Sequence, residues 1–160
     1  APWDAQARAR DTGRVADLNS LSQALETFYD DFGEYPGTMG TVACLTGADA
    51  VSTAINDYLK GGIIPQAPSV DQTTKVGDKT CGSGNYLYAP LINRGLENNG
   101  FILATDMETY QNANFDGSSV TTIDANSEVV NFVPVKGISL SALEEGAAAD
   151  ALLTIYILVQ

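Results

Sequence analysis

The segment Asn112-Ala113-Asn114-Phe115-Asp116-Gly117-Ser118 sets side-chain oxygens at alternate positions and a glycine where a calcium-binding loop has to turn. Oxygens at that spacing suit a hard divalent cation. The bidentate glutamate that closes such a loop is missing, since Ile123 stands in its place and Asp124 comes one later. Calcium at Asn112, Asn114 and Asp116 is therefore weighed against a plain polar turn. Asp30, Asp31 and Glu34 supply paired acids of the kind glycoside hydrolysis uses. They fall at the end of a helix, with no aromatic-lined cleft to bind a sugar. Gly82-Ser83-Gly84-Asn85 is glycine-rich, but no Lys-Ser or Lys-Thr follows to form a phosphate loop. No Gly-x-Ser-x-Gly elbow occurs either. Trp3, Tyr86 and Tyr88 carry rings able to stack on sugars or bases. The tyrosines read better as strand packing, and Trp3 as helix surface.

The residue types that are missing narrow the chemistry further. The chain has no histidine, which removes imidazole bases, imidazole metal ligands and every triad built on them. Two cysteines without histidine cannot make the usual four-ligand zinc site. Cys44 and Cys81 form a single candidate pair. Joined, they would close a long loop and imply an oxidising compartment; the alternative is two buried free thiols. The net charge of −12 repels nucleic acid and anionic lipid at long range. These absences lead us to expect a protein that is not an enzyme, with no cofactor beyond the weak calcium candidate.

The elements that would position these residues are read from periodicity. With 44% hydrophobic residues, the 160-residue chain can bury one real core. Val15, Leu18, Leu21, Leu25, Phe28, Tyr29 and Phe32 recur at three- and four-residue spacing, which predicts a helix over residues 4–32. Its other face carries Arg14, Asp17, Asn19, Gln23, Glu26 and Asp30, and its first turns, from Asp4 to Arg14, form a polar stem. Gly33 ends the helix and Pro36 prevents its resumption. Residues 33–85 read as a loop-rich region, with a short helix from Ala50 to Leu59 and an extended Ile63-Ile64-Pro65. The stretch from Ser69 to Gly84 reads as polar and exposed. Strands are expected at Asn85–Leu91, Phe101–Met107, Val129–Val135 and Leu152–Val159, with a turn at Asn98-Asn99-Gly100. A short helix or loop is expected at Ser141–Ala151. The order predicts a single α+β domain over 1–160: a long N-terminal helix (1–32), a variable loop region (33–85) and an antiparallel β-sheet region (86–160). The helix stripe would meet Leu87, Leu91, Ile102, Leu103, Phe132, Leu153, Ile155 and Ile157.

From Ala7 through Arg8, Arg10, Asp11, Arg14, Asp17-Leu18, Leu21, Ala24-Leu25 and on to Tyr35-Pro36, the helix region resembles that of type IV pilins and secretion pseudopilins. The ending Tyr29-x-x-x-Gly33-x-Tyr35-Pro36 is the most specific part, and the match covers about thirty residues. Tyr86-Leu87-Tyr88 and residues 101–108 resemble the family's strand pair more loosely. The resemblance implies a structural subunit of an extracellular filament serving adhesion, twitching motility or DNA uptake. It implies copies of the chain and other pilin-like subunits as partners, together with an inner-membrane assembly machinery. It also implies an apolar anchoring helix before Ala1, and the opening Ala1-Pro2-Trp3, without methionine, reads as a cut. The stem arginines Arg8, Arg10 and Arg14, three of only eight basic residues, would face lipid headgroups, acidic groups of neighbouring subunits, or plain solvent. The family's C-terminal disulfide loop is not matched; Cys44 and Cys81 would join the loop after the helix to the first strand. A secretion pseudopilin is the alternative within the family. A free extracellular binding module is the alternative outside it.

Overall fold

The computed structural model describes residues 2–68, 72–82, 84–135 and 153–160. The fold is α+β. Helix α1 spans Pro2–Phe32 and lies against a four-stranded antiparallel sheet ordered β1-β4-β5-β6. Its strands are β1 (Ala43–Leu45), β4 (Tyr86–Asn93), β5 (Leu96–Asp106) and β6 (Ile155–Val159). Between β1 and β4 come a short helix α2 (Ala50–Ile55) and a hairpin of β2 (Thr74–Val76) and β3 (Lys79–Cys81).

Helix α1 stops where its glycine permits a left-handed residue. Gly33 has φ +76° and its N–H donates to Tyr29 O at 2.7 Å. The chain then folds Tyr35 back onto the sheet, with its ring 4.7 Å from Tyr29 and 4.8 Å from Phe101. The Tyr88 hydroxyl donates to Pro36 O at 2.6 Å. The Tyr-x-x-x-Gly-x-Tyr-Pro ending is thus a helix stop followed by an aromatic clasp.

Both faces of the sheet are covered. One face packs Tyr86, Tyr88, Phe101 and Leu103 against Leu18, Leu21, Ala24 and Leu25 of α1. The other packs Leu87, Ala89, Leu91, Ile102, Ala104, Ile155 and Ile157 under Val76, Cys81, Phe115, Ile123 and Phe132. Successive strand residues point to opposite faces, so this division follows from the pleat. It corrects the expected core: Leu103 meets the helix, whereas Leu87, Leu91, Ile102, Phe132, Ile155 and Ile157 lie on the far side. Leu153 is half-buried outside both clusters. Phe32, placed last in the stripe, is 63% exposed and stacks on Phe28.

Other differences are local. Residues 129–135 do not form a strand; Val129–Asn131 is a single 3₁₀ turn, and Phe132 plugs the far core. The β4–β5 turn sits at Arg94-Gly95, with φ of 55° and 76°, so β5 begins earlier than expected and includes Asn98-Asn99-Gly100. The polar stretch before Gly84 contains the β2–β3 hairpin, which buries Val76 and Cys81. The helix expected at Ser141–Ala151 lies outside the described residues. Cys44 of β1 and Cys81 of β3 are joined by a disulfide across 37 residues of sequence. A closed loop of that size restricts the unfolded chain by roughly 3–4 kcal/mol in the chain-entropy model. Such a bond is sustained in oxidising, non-cytoplasmic compartments.

Candidate functional site

From Arg10 to Asp17, and again at Glu26, helix α1 turns its charges inward. Arg14 is 1% exposed and Asp11 is fully buried. Arg14 Nη1 donates to Asp11 Oδ1 at 2.8 Å and to Glu108 Oε2 at 2.7 Å. Arg10 forks onto the same carboxylate, with Nε 2.7 Å from Oε2 and Nη2 2.6 Å from Oε1. Asp11 in turn accepts the backbone N–H groups of Glu108 and Thr109 and the Thr109 hydroxyl, at 3.0, 2.9 and 2.7 Å. Every member is therefore satisfied, as a buried ionic cluster has to be. The two guanidinium groups hold the Glu108 carboxyl below its ordinary pKa, chiefly through the Arg10 hydrogen bond. The same bond raises Arg10.

Asp106 sits beside this cluster. It accepts from Gln72 Nε2 at 2.6 Å, and its own N–H donates to the Thr74 hydroxyl. Burial pushes its carboxyl up to about 6, against the pull of Gln72 and Arg14. A raised carboxyl in a cleft is a catalytic signature in many enzymes. Here the adjoining cavity, lined by Arg14, Gln72, Thr74 and Thr105, measures about 10 Å³, room for one water and no substrate. The group is built into a fastening between α1, β5 and the segment before β2.

Further along α1 the inward charges become single bonds. The Tyr86 hydroxyl donates to Asp17 at 2.6 Å, and the Tyr35 hydroxyl donates to Glu26 at 2.7 Å. Burial raises Asp17 above its ordinary value, and it raises both tyrosines, whose ionisation the neighbouring carboxylates oppose as well. Arg10, Asp11, Arg14, Asp17 and Glu26 all point into the domain, which corrects the expectation that Arg10 and Arg14 meet lipid, neighbours or bulk solvent. Arg8 is exposed.

Between Arg8 and Asp30, what α1 turns outward is uncharged and mostly small. Ala5, Ala9, Thr12, Ala16, Asn19, Ser20, Gln23 and Thr27 are all exposed. Between Ala9 and Thr27 no exposed residue of the helix carries a charge, in a chain of net charge −12. Two hollows run beside this face where α1 meets β6. One, of about 430 Å³, is lined by Thr12, Val15, Ala16, Asn19 and Tyr156. The other, of about 520 Å³, is lined by Asn19, Gln23, Leu158 and Val159.

The residues singled out for chemistry are differently employed. Asn114 donates to Ile157 O and accepts Ile157 N–H. Asp116 accepts the N–H and hydroxyl of Ser118, and Asn112 donates to Thr109. Asp31 accepts the Tyr58 hydroxyl at the surface. Tyr86 and Tyr88 are fully buried and offer no stacking face. Among the described residues no three acidic or thiol groups gather as a metal site, and no helix is long and apolar enough to cross a membrane. Reading residue types in isolation missed Glu108, Thr109, Gln72 and Asp106. The signal was present: Asp106 and Glu108 flank a strand end, opposite a helix whose Arg10 and Arg14 lie four apart on one side. Compared with known protein families, with characterised proteins and with solved structures, the chain finds no match.

Proposed function

We propose that the chain is a structural subunit of an extracellular filament of the type IV pilus kind, assembling with copies of itself and with other pilin-like subunits. The observation that carries this reading is the outward face of α1. A helix on a soluble domain ordinarily turns its charges to water and its small residues inward. Between Ala9 and Thr27 of α1 the charged side chains are bonded inward, to the turn after β5, to Tyr86 and to Tyr35, and the exposed ones are neutral and mostly small. Such a face suits packing against another helix, because alanine and hydroxyl side chains allow close approach without leaving a buried charge unpaired. The long helix on an antiparallel sheet and the Tyr35-Pro36 clasp support the same reading, and the disulfide agrees with its extracellular setting though not with the family's usual placement. The exposed Phe32, Ile63 and Leu96 would then lie on surfaces that meet neighbours or the environment.

A secretion pseudopilin has the same framework, and a calcium-holding loop around Asn114 would favour it. The amide of Asn114 is taken by β6 and Asp116 is taken by its own turn, which leaves the surface-filament reading ahead. The test is immunogold electron microscopy of the source cells with antibody to this domain. Labelled fibres are expected. Label confined to the envelope would move the assignment to a secretion piston, and label only in the medium would overturn assembly altogether. Ala9→Glu with Ala16→Glu, both on the exposed face, should abolish the fibres while leaving the domain folded.

A further inference from the structure

Among the described residues β6 is an edge strand, and its outward hydrogen bonds at Ile157 are met by a side chain standing in for a strand. In the β5–β6 ladder Phe101 and Gln160 exchange both backbone bonds, at 3.1 and 3.2 Å, and Met107 N–H donates to Thr154 O at 2.8 Å. The even-numbered residues of β6 therefore bond to β5, and the backbone groups of Ile155, Ile157 and Val159 point away from the sheet. Ile155 is met by backbone: its N–H donates to Phe115 O, and its carbonyl accepts from Asn114 and Phe115. Ile157 is met by the Asn114 carboxamide, whose Nδ2 donates to Ile157 O at 3.0 Å and whose Oδ1 accepts Ile157 N–H at 2.7 Å. One donor and one acceptor at that position are what a neighbouring strand residue would present. Val135 N–H donates to Asn114 O at 2.7 Å and holds the stand-in in place.

We infer that Asn114 is a gatekeeper that keeps β6 from pairing with β6 of a second copy of this chain. The strand whose outward edge it closes at Ile157, Ile155-Tyr156-Ile157-Leu158-Val159, is apolar, rich in β-branched residues and free of proline and charge. An uncovered edge of that composition is a template for another strand. The partner is a second copy because two antiparallel β6 edges match one another about a two-fold axis. The net charge of −12 opposes most contacts between copies, but β6 carries no charge and meets itself without repulsion. Specific filament contacts through α1 would otherwise compete with edge-to-edge pairing, although the inference stands independently of the filament reading.

Sedimentation velocity over a range of concentrations tests it on three proteins. Asn114→Ala should associate at concentrations where the unsubstituted chain does not. Asn114→Ala with Val159→Pro should return to the sedimentation of the unsubstituted chain, because proline removes an outward N–H and leaves the β5 ladder intact. An Asn114→Ala protein that sediments like the unsubstituted chain would overturn the inference, as would association that Val159→Pro does not relieve. Should the alanine variant fail to fold, hydrogen exchange of the unsubstituted chain decides. The Ile157 amide should exchange at least about tenfold more slowly than that of Val159, and equal rates would show that the carboxamide does not close the edge.

Discussion

Between Arg10 and Arg14, α1 meets the sheet through charges; between Leu18 and Tyr29 it meets it through rings and branched carbon. In the first half two guanidinium groups and two carboxylates share bonds with the turn at Glu108 and Thr109. In the second, Leu18, Leu21 and Leu25 are fully buried against Tyr86, Tyr88 and Phe101. Apolar contact is roughly proportional to area and indifferent to register, so it supplies attraction without fixing where along its axis the helix sits. A fork of Arg10 on Glu108 works in one register only. The comparison assigns attraction to the upper half and position to the lower.

The largest effect should come from breaking the lower half. Arg14→Ala leaves Asp11 buried without its cation and opens a void beneath the helix. A loss of about 4 kcal/mol is expected, within the range for removing one partner of a buried pair. Urea denaturation would measure it. A loss under 1 kcal/mol would mean that solvent reaches the cluster and that the contrast between the halves is false. Leu21→Ala in the upper half should cost about 3 kcal/mol through lost transfer energy and a residual cavity. Raised salt should reduce the effect of Arg14→Ala little, since the cluster is buried, and should leave that of Leu21→Ala unchanged.

The same contrast explains what could be read from the sequence. The upper half was legible because leucines at three- and four-residue spacing announce a buried stripe, and because Gly33 and Pro36 mark its end. Strands β4, β5 and β6 were legible from their aromatic and β-branched content. Which face each strand turned to the helix was not, because alternation assigns two faces without saying which one the helix covers. Hence Leu87 and Ile102 were expected on the wrong side. Asn98 was read as a turn because asparagine tolerates positive φ. It does adopt φ 54°, but inside β5, where its amide holds Tyr35 O and Gly37 O at 3.0 and 2.9 Å. The ionic half was illegible because a charge in a helix is most often solvated. Only the fold brings Glu108 to Arg10, across 98 residues of sequence.

A smaller prediction concerns the clasp, where the two kinds of contact meet. Tyr35→Phe keeps the ring between Tyr29 and Phe101 and removes the hydroxyl that donates to Glu26. A loss of about 1.5 kcal/mol is expected, as for a hydrogen bond to a charged acceptor. Tyr35→Ala should cost more, by the burial of the ring. If the two variants are equally destabilised, the hydroxyl and not the ring fastens the chain after Gly33.

The smallest effect should separate the halves by pH. Asp106 has its carboxyl pushed up to about 6 by burial, above its value of 3.8 in the unfolded chain. Above pH 6 both states are ionised, and the folded state carries the cost of a charge held away from water. As pH falls from 7 toward 5, the folded state takes up a proton that the unfolded state does not, so stability rises. The rise should be on the order of 1 kcal/mol after discounting for the solvent that reaches this partly exposed group. Glu108 works in the opposite sense. Its folded pKa is depressed below 4.5, so its contribution is present above that value and is lost as pH falls through the folded one. Asp17, raised by burial above its unfolded value of 3.8, adds to the rise in the same sense. Thermal unfolding from pH 7 to 3 should therefore show a melting temperature that climbs, peaks at about pH 4 to 4.5 and then falls. Asp106→Asn should flatten the climb between pH 7 and 5 and leave the acid fall in place, because the fall belongs to Glu108, Asp49 and Asp78, whose folded carboxyls are held below their ordinary values. A climb between pH 7 and 5 that survives in Asp106→Asn would show that the carboxyl beside the ionic cluster does not set it.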